Sequence, residues 1–442
     1  MARFRPAPVA VLALLAVIIP VAAYASSGPV SGGDDITTIL VALAVILLGA
    51  KLGGSLASRL KQPAVLGELL FGVLLGNLAL VGLRWTEGFS QLGALGTLAQ
   101  LGVILLLFQI GLEANLADMM RVGLSALLVA MLGVIGPFLL GWGVGIWFYP
   151  HAPIYMHLFL GAILSATSVG ITARVLKDLG RLDTDEAHVI LGAAVIDDIL
   201  GLVVLAVVSG MIRGAESGSS VSSAAVLWLI IKAVLFLGGA ILAGRYVYPW
   251  LFRVADYLRV RGMLLISALA VCFLASFVAA KAGLAPIVGA FAAGLVLDDA
   301  YFRDPKRHGR ERLEELLEPL AFFLVPVFFV KMGMDVDLSA FATGGVIWFA
   351  LVLTLAAILG KQLSALGVVT RKKGSISRWI VGFGMIPRGE VGLIFASIGA
   401  TLSVAGEAVV SPAIYSAVVV MVMLTTLVTP ALLAWSFRRH LS

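Results

Sequence analysis

The sequence predicts an all-α membrane protein of about thirteen transmembrane helices in two inverted-topology repeats, with crossed broken helices, and three observations carry that prediction. Of 442 residues, 61% are hydrophobic and only 13% are charged, about half the charge of soluble domains. Apolar stretches of about 20 residues, the length that crosses a bilayer as a helix, recur from one end to the other. A constant offset of 222 positions, as from Gly67 to Gly289, relates motifs of the first half to motifs of the second.

At the N-terminus, MARFRPAP carries two arginines, the apolar run VAVLALLAVIIPVAA follows, and Ala23-Tyr24-Ala25 supplies small residues at signal-peptidase spacing. Residues 1–25 therefore read as a signal peptide, the alternative being an uncleaved extra helix, and SSGPVSGGDD lies outside in either case. Thirteen hydrophobic segments follow, starting near residues 36, 63, 94, 121, 155, 187, 224, 262, 284, 317, 343, 378 and 409. Bases concentrate in alternate connections: SRLKQ, VLKDLGR, FRVADYLRVR, RDPKRHGRER, TRKKGSISR and the tail SFRRHLS fall on one side. LRWTEGFS, YPHAPIYMH and DVDLSAF fall on the other. The positive-inside rule makes the first set cytoplasmic, so the N-terminus is outside and the C-terminus inside. The net charge of +6 is then a topology signal, and no nucleic-acid partner follows from it. The lone Cys272 gives neither a disulfide framework nor a thiol metal cluster.

The repeat extends over much of the chain. Gly67 and Gly72 of PAVLGELLFG recur as Gly289 and Gly294 of APIVGAFAAG. The same offset carries Gly111, Glu113 and Leu116 onto Gly333, Asp335 and Leu338, and Val169-Gly170 onto Val391-Gly392. Shared small-residue bias in membrane helices would scatter such offsets. Seven spans, an odd number, separate the start of one copy from the start of the next, so the second copy runs upside down. That is the plan of secondary transporters, whose substrate site lies at the midplane between repeats. The chain is thus read as one transporter domain: a first repeat over 36–212, a linker helix over 224–250 and a second repeat over 262–437.

Charges at bilayer depth mark the site, because each costs several kcal/mol unless solvated, protonated or paired. Asp197 and Asp198 sit in GAAVIDDILGLVVLAVV, about ten residues into a helix entered from the cytoplasm, or about 15 Å deep. Lys361, in ILGKQLSALG, lies at a similar depth. It is placed to pair with one aspartate, leaving the other to coordinate a hard monovalent cation with backbone oxygens. A purely structural ion pair is the alternative, but two acids and one base leave a costly charge unexplained. Pro387-Arg388-Gly389-Glu390 and its repeat mate Ala166-Thr167-Ser168 interrupt two helices at corresponding places, the signature of broken helices meeting at a binding site. Thr167 and Ser168 offer hydroxyl or carbonyl oxygens to a cation, unless they bond back to their own helix. Arg388 and Glu390 are placed to neutralise the ends of the broken helices. Lys331 and Glu68, also at membrane depth, read as structural ion-pair members.

These motifs together resemble bacterial sodium/proton antiporters of the cation:proton antiporter-2 family. The resemblance runs from residue 36 nearly to the end, through PAVLGELLFGVLLGN, LLFQIGLE, SATSVGITARVL, AVIDDILG, ILGKQL and PRGEVGLI. It implies a homodimer in the cell inner membrane, with a mobile core domain that carries the ion site and moves against a dimerisation domain. It implies Asp198 as the principal cation and proton carboxylate, Asp197 as its partner, and Lys361 as the lysine of electrogenic members. Two acids in place of an Asn-Asp pair imply electrogenic exchange of sodium, or lithium, against protons, with no cofactor. Lys331 resembles a position basic in only some relatives. Potassium/proton antiporters and potassium efflux systems are the alternative within the fold, and the efflux systems carry a nucleotide-binding domain for which no Gly-rich fingerprint is present here. A cation channel is the alternative class; it needs neither paired acids opposed by a lysine nor two interrupted helices. The five histidines are scattered, and His188 sits near a cytoplasmic helix end, so no enzyme metal centre is expected.

Overall fold

The computed structural model describes residues 36–60, 62–83, 86, 88–113, 123–181, 184–216, 262–282, 284–302, 313–342, 344–369, 376–404 and 406–440, with isolated residues between 227 and 246. The signal peptide at 1–25 lies outside the described residues, and the linker helix over 224–250 largely so. The described chain is helical almost throughout: α1 (Ile36–Arg59), α2 (Ala64–Gly76), α3 (Gly93–Glu113), α4 (Leu124–Phe148), α5 (Ile154–Ser165), α6 (Val169–Asp178) and α7 (Asp185–Glu216) form the first half. The second half comprises α8 (Met263–Lys281), α9 (Pro286–Phe302), α10 (Leu313–Met334), α11 (Gly344–Ser364), α12 (Arg378–Gly384), α13 (Glu390–Thr401) and α14 (Pro412–His440). A two-residue hairpin, Ser403–Val404 against Glu407–Ala408, turns at Gly406 with φ +84° between α13 and α14. That left-handed turn is glycine's to make.

Helix is the only way an open chain can satisfy every backbone N–H and C=O in hydrocarbon. Eight described helices are long and apolar enough to cross a membrane, and four apolar helices are shorter. Leucines such as Leu40, Leu56, Leu74, Leu274 and Leu355 stay more than half exposed, as lipid-facing side chains do. The protein is a multi-pass membrane protein.

Two compact units make up the fold, and each draws on both halves of the sequence. One takes the chain to Gly102 together with Leu320–Ser339; the other takes Val103–Pro319 and Ala340–Ser442. In the first unit α1 packs on α2 so closely that a Cβ on Gly67 would strike the Gly53 carbonyl. There too, a Cβ on Gly72 would meet the Val330 carbonyl and the Gly333 backbone. Asn77 clips the end of α2 to the chain after α10: its amide donates to Val73 O at 2.8 Å and Val336 O at 2.7 Å, and its Oδ1 accepts the Leu338 N–H at 3.0 Å.

In the second unit the same contact recurs with its partners exchanged. A Cβ on Gly294 would strike Phe108 O and the Gly111 backbone, and one on Gly111 would strike Phe291 O. The 222-residue offset maps Gly72 to Gly294 and Gly111 to Gly333, so one glycine contact becomes the other. This reciprocity is what an internal repeat produces. In this unit α4 is the hub, packing on α5, α7 and α11. The chain of α11 comes close enough at Gly360 to touch the backbone of Pro137 within α4.

Two helices of the second unit are broken. The first break lies between Ser165 and Val169, where Ala166 takes an extended conformation at φ −63°, ψ 142°. The second runs from Met385 to Gly389. They cross: the Ser168 N–H donates to Pro387 O at 2.9 Å, and any Cβ on Gly389 would collide with Ser168. Thr172 Oγ1 donates to Gly384 O at 2.7 Å, occupying a carbonyl that the end of α12 leaves open. Irregular backbone at membrane depth survives only where protein covers it. Residues 165–168 and 385–389 are all buried.

The interlocked glycines generate a stability prediction. Gly294→Val is expected to lower unfolding stability by about 2 kcal/mol or more through overpacking, measured by thermal unfolding in detergent. Gly143→Val, where an added Cβ meets nothing within 4 Å, is expected to unfold like the wild type.

Candidate functional site

The site is built where α7 and α11 pack on α4 and the two breaks cross. Asp197 and Asp198 lie mid-way along α7, 0% and 7% exposed. Lys361, near the end of α11, is 0% exposed. Its Nζ donates to Asp197 Oδ1 at 2.8 Å and to the Ser165 carbonyl at 2.8 Å. That carbonyl belongs to the last residue of α5, where the helix stops and its own i+4 donor is lost. Lys361 therefore joins the acid pair to the first break. A Cβ at Gly133 would lie 3.4 Å from Asp197 Oδ1 and from Lys361 Nζ, so α4 presents bare backbone where the ions meet.

Arg388 comes from the second break and is also fully buried. Its guanidinium reaches backbone oxygens: Nη2 donates to Ala357 O at 3.3 Å and Nη1 to Ile386 O at 3.5 Å. The peptide itself is held by α14. Thr425 Oγ1 accepts the Arg388 N–H at 3.3 Å, and Thr426 Oγ1 donates to Arg388 O at 2.8 Å. A fixed cation thus stands at the unwound segment, where partial charges of broken helix ends gather.

Buried polar atoms rarely lack partners. Thr167 Oγ1, Asp197 Oδ2 and Arg388 Nε are buried without a hydrogen-bond partner among the described residues. Thr167 and Ser168 are 1% and 0% exposed within the first break. Carboxylates, a hydroxyl and carbonyls freed by unwinding form an oxygen-only set, which suits a hard cation. No group of three His, Cys, Asp or Glu able to hold a metal is found among the described residues, and His188 is exposed at the start of α7.

Of the sequence-predicted residues, the structure brings Asp197 and Lys361 into contact, and sets Thr167, Ser168 and Arg388 in the crossed breaks of the same unit. Glu390 opens α13 directly after Gly389; its side chain lies outside the described residues. Lys331 belongs to the other unit, where it donates to the carboxylate of Asp335, four residues on, at 2.6 Å to Oδ2. Glu68 is buried in α2, also in that unit. Sequence reading missed Gly133, Thr425 and Thr426. The adjacent threonines in the apolar run VMVMLTTLVTP were the available signal for the latter two.

Comparisons with known proteins agree in direction. The family model described as the transmembrane sodium/hydrogen exchanger matches residues 41–439. The high-affinity Na⁺/H⁺ antiporter NhaS3 of Synechocystis sp. is 39% identical over 425 residues, covering 89% of this chain and 88% of that protein. The Na⁺/H⁺-K⁺ antiporter GerN of Bacillus cereus is 37% identical over 398 residues, covering 89% and 95%. Among solved structures, the sodium proton antiporter MjNhaP1 of Methanocaldococcus jannaschii at pH 8 matches with a TM-score of 0.66 and 18% identity, over 92% of this chain and 99% of that one. At that identity the match speaks to fold alone.

The buried pair yields a coupling prediction. Lys361→Gln leaves a buried carboxylate uncompensated and is expected to cost about 3 kcal/mol of stability. Adding Asp197→Asn is expected to restore most of it. The double-mutant cycle, run by unfolding in detergent, checks this; strictly additive losses would show that the two side chains do not depend on each other.

Proposed function

The chain belongs to the sodium/hydrogen exchanger family, and from that premise we propose that it exchanges a monovalent cation, sodium first, for protons by alternating access. The observation that carries this reading is the buried Asp197–Lys361 pair, with Asp198 adjacent, beside two crossed helix breaks. Proton and cation compete for the same carboxylates, so binding one releases the other, and the cycle needs neither nucleotide nor cofactor. Asp198 is the principal carrier. Asp197 holds Lys361 in the cation-free state and turns to the cation when it enters, at which point the lysine gives up its proton. Thr167 and Ser168 complete the oxygen shell, while Arg388 and Glu390 balance the broken helix ends. Lys331, already paired with Asp335, compensates charge locally and stands apart from the ion chemistry.

Counting Asp198 and Lys361 as the titrating groups, two protons move per sodium, and the exchange is electrogenic. The protein acts as a homodimer in the cell inner membrane, N-terminus outside after signal cleavage and C-terminus cytoplasmic, as the distribution of bases supports. A potassium-handling reading is the second one. It is favoured by the relatives named for K⁺, GerN and the K⁺/H⁺ antiporter subunit KhtU of Bacillus subtilis, the latter 27% identical over 368 residues, 82% of this chain and 84% of that one.

Fluorescence dequenching in inside-out vesicles, with Na⁺, Li⁺ and K⁺ added in turn, ranks the ions and separates an antiporter from a channel. Asp198→Asn, which removes the charge at nearly constant volume, is expected to lower exchange at least ~100-fold, ~3 kcal/mol of lost stabilisation by a charged ligand, with the protein still folded. Asp197→Asn is expected to impair it less. Wild-type turnover by Asp198→Asn at saturating sodium would remove Asp198 from the site.

A further inference from the structure

In the same unit, α12 and α14 leave a cleft of about 500 Å³ lined by Ser377, Trp379, Phe383, Trp435, Ser436 and Arg439. Its walls are three rings in series: Trp379 and Phe383 have centroids 5.9 Å apart, and Phe383 and Trp435 6.3 Å apart. The Arg439 guanidinium lies over Trp435 at 5.3 Å. Trp379 and Trp435 remain 66% and 52% exposed, so both rings are open to a molecule outside the helices.

The position of the cleft says what covers it. It lies at the first turn of α12 and the last turns of α14, and therefore at a membrane boundary, where amphipathic rings settle at headgroup level. Both helices supply cations next in sequence to lining residues: Arg378 and Arg438 are exposed, Arg378 also donating to Val368 O at 3.4 Å, and Arg371-Lys372-Lys373 stand four to six residues before Ser377 in sequence. Glu186 of α7 accepts the Ser377 amide N–H at 2.9 Å. Ser377 and Ser436, also in the lining, are neutral residues with hydrogen-bonding side chains. Aromatic walls, a guanidinium stacked on one of them and two further exposed arginines match one ligand chemistry: a phosphodiester with acyl chains attached.

We propose that this cleft binds an anionic phospholipid, its phosphate on Arg439 and its glycerol and first methylenes against Trp379 and Trp435. Basic pockets between membrane helices on the cytoplasmic side take such headgroups. The leaflet follows from the orientation proposed above, whereas binding itself does not depend on it. The lipid bridges the start of α12 and the end of α14. Those two helices carry the second break and the threonines that hold it.

The test is native mass spectrometry of the full-length detergent-solubilised protein titrated with phosphatidylglycerol or phosphatidylcholine, paired with thermal unfolding in each lipid and in inorganic phosphate. Wild type is expected to retain phosphatidylglycerol adducts and to unfold at higher temperature with that lipid alone. Arg439→Gln is expected to weaken adduct formation about five-fold, and Trp435→Ala to weaken it as well. Arg59→Gln, exposed at the end of α1, is expected to leave it unchanged. Wild-type adduct formation by both cleft variants would overturn the proposal. So would equal retention of phosphatidylcholine, or equal stabilisation by inorganic phosphate.

Discussion

One hydrogen-bonded ion pair organises the second unit: Lys361 Nζ against Asp197 Oδ1 at 2.8 Å, both side chains fully buried. Removing two charges from water costs several kcal/mol each, and their attraction offsets this only with good geometry and further hydrogen bonds. The further bond is to Ser165 O, a carbonyl that exists as an acceptor because α5 stops there. The pair therefore depends on the break, and the break is stabilised by the pair. Glycine at 133 leaves the space in which both ions fit. A static ion pair of this kind could be replaced by apolar side chains at little cost in stability, so its presence beside a second acid calls for a use.

The breaks obey the same constraint on the backbone. Each interruption frees peptide groups that hydrocarbon cannot satisfy, and each group described is met by a neighbour: Ser168 N–H by Pro387 O, Gly384 O by Thr172, and the Arg388 peptide by Thr425 and Thr426. What is left over is buried too: Thr167 Oγ1, Asp197 Oδ2 and Arg388 Nε have no hydrogen-bond partner among the described residues, two oxygens and one nitrogen of a fixed cation. In the exchange proposed above, a cation would replace its hydration shell with such oxygens, and a proton on a carboxylate would take its place there, so that the two compete.

Much of this was legible in the amino-acid order. Vicinal aspartates in an apolar helix, one lysine at matching depth, and Pro/Gly interruptions at corresponding positions of two copies each violate what a membrane helix prefers, and violations are readable without a structure. Twelve of the thirteen apolar segments coincide with described helices or broken-helix pairs, the segment near 224 falling mostly outside them. Which aspartate faces Lys361 was not legible, because adjacent residues on a helix point about 100° apart and the partner lies 164 positions away. Thr425 and Thr426 were overlooked because threonine in a membrane helix usually bonds its own backbone, and Thr425 indeed donates to Met421 O as well. The division into two units that each mix both halves of the chain rests on contacts between distant segments, to which hydrophobic periodicity is blind. Lys331 was nearer to hand: Asp335, its partner, stands one turn away in FVKMGMD.

In the proposed cycle Lys361 is a proton carrier and not only a counter-ion. Sodium-driven exchange in proteoliposomes, with and without an imposed membrane potential, tests it most directly in wild type and Lys361→Gln. Wild-type exchange is expected to respond to voltage, and the variant, where it transports, to lose one proton from its cycle and become indifferent to voltage. An active variant with the wild-type voltage response would contradict the claim and reduce Lys361 to a structural partner of Asp197.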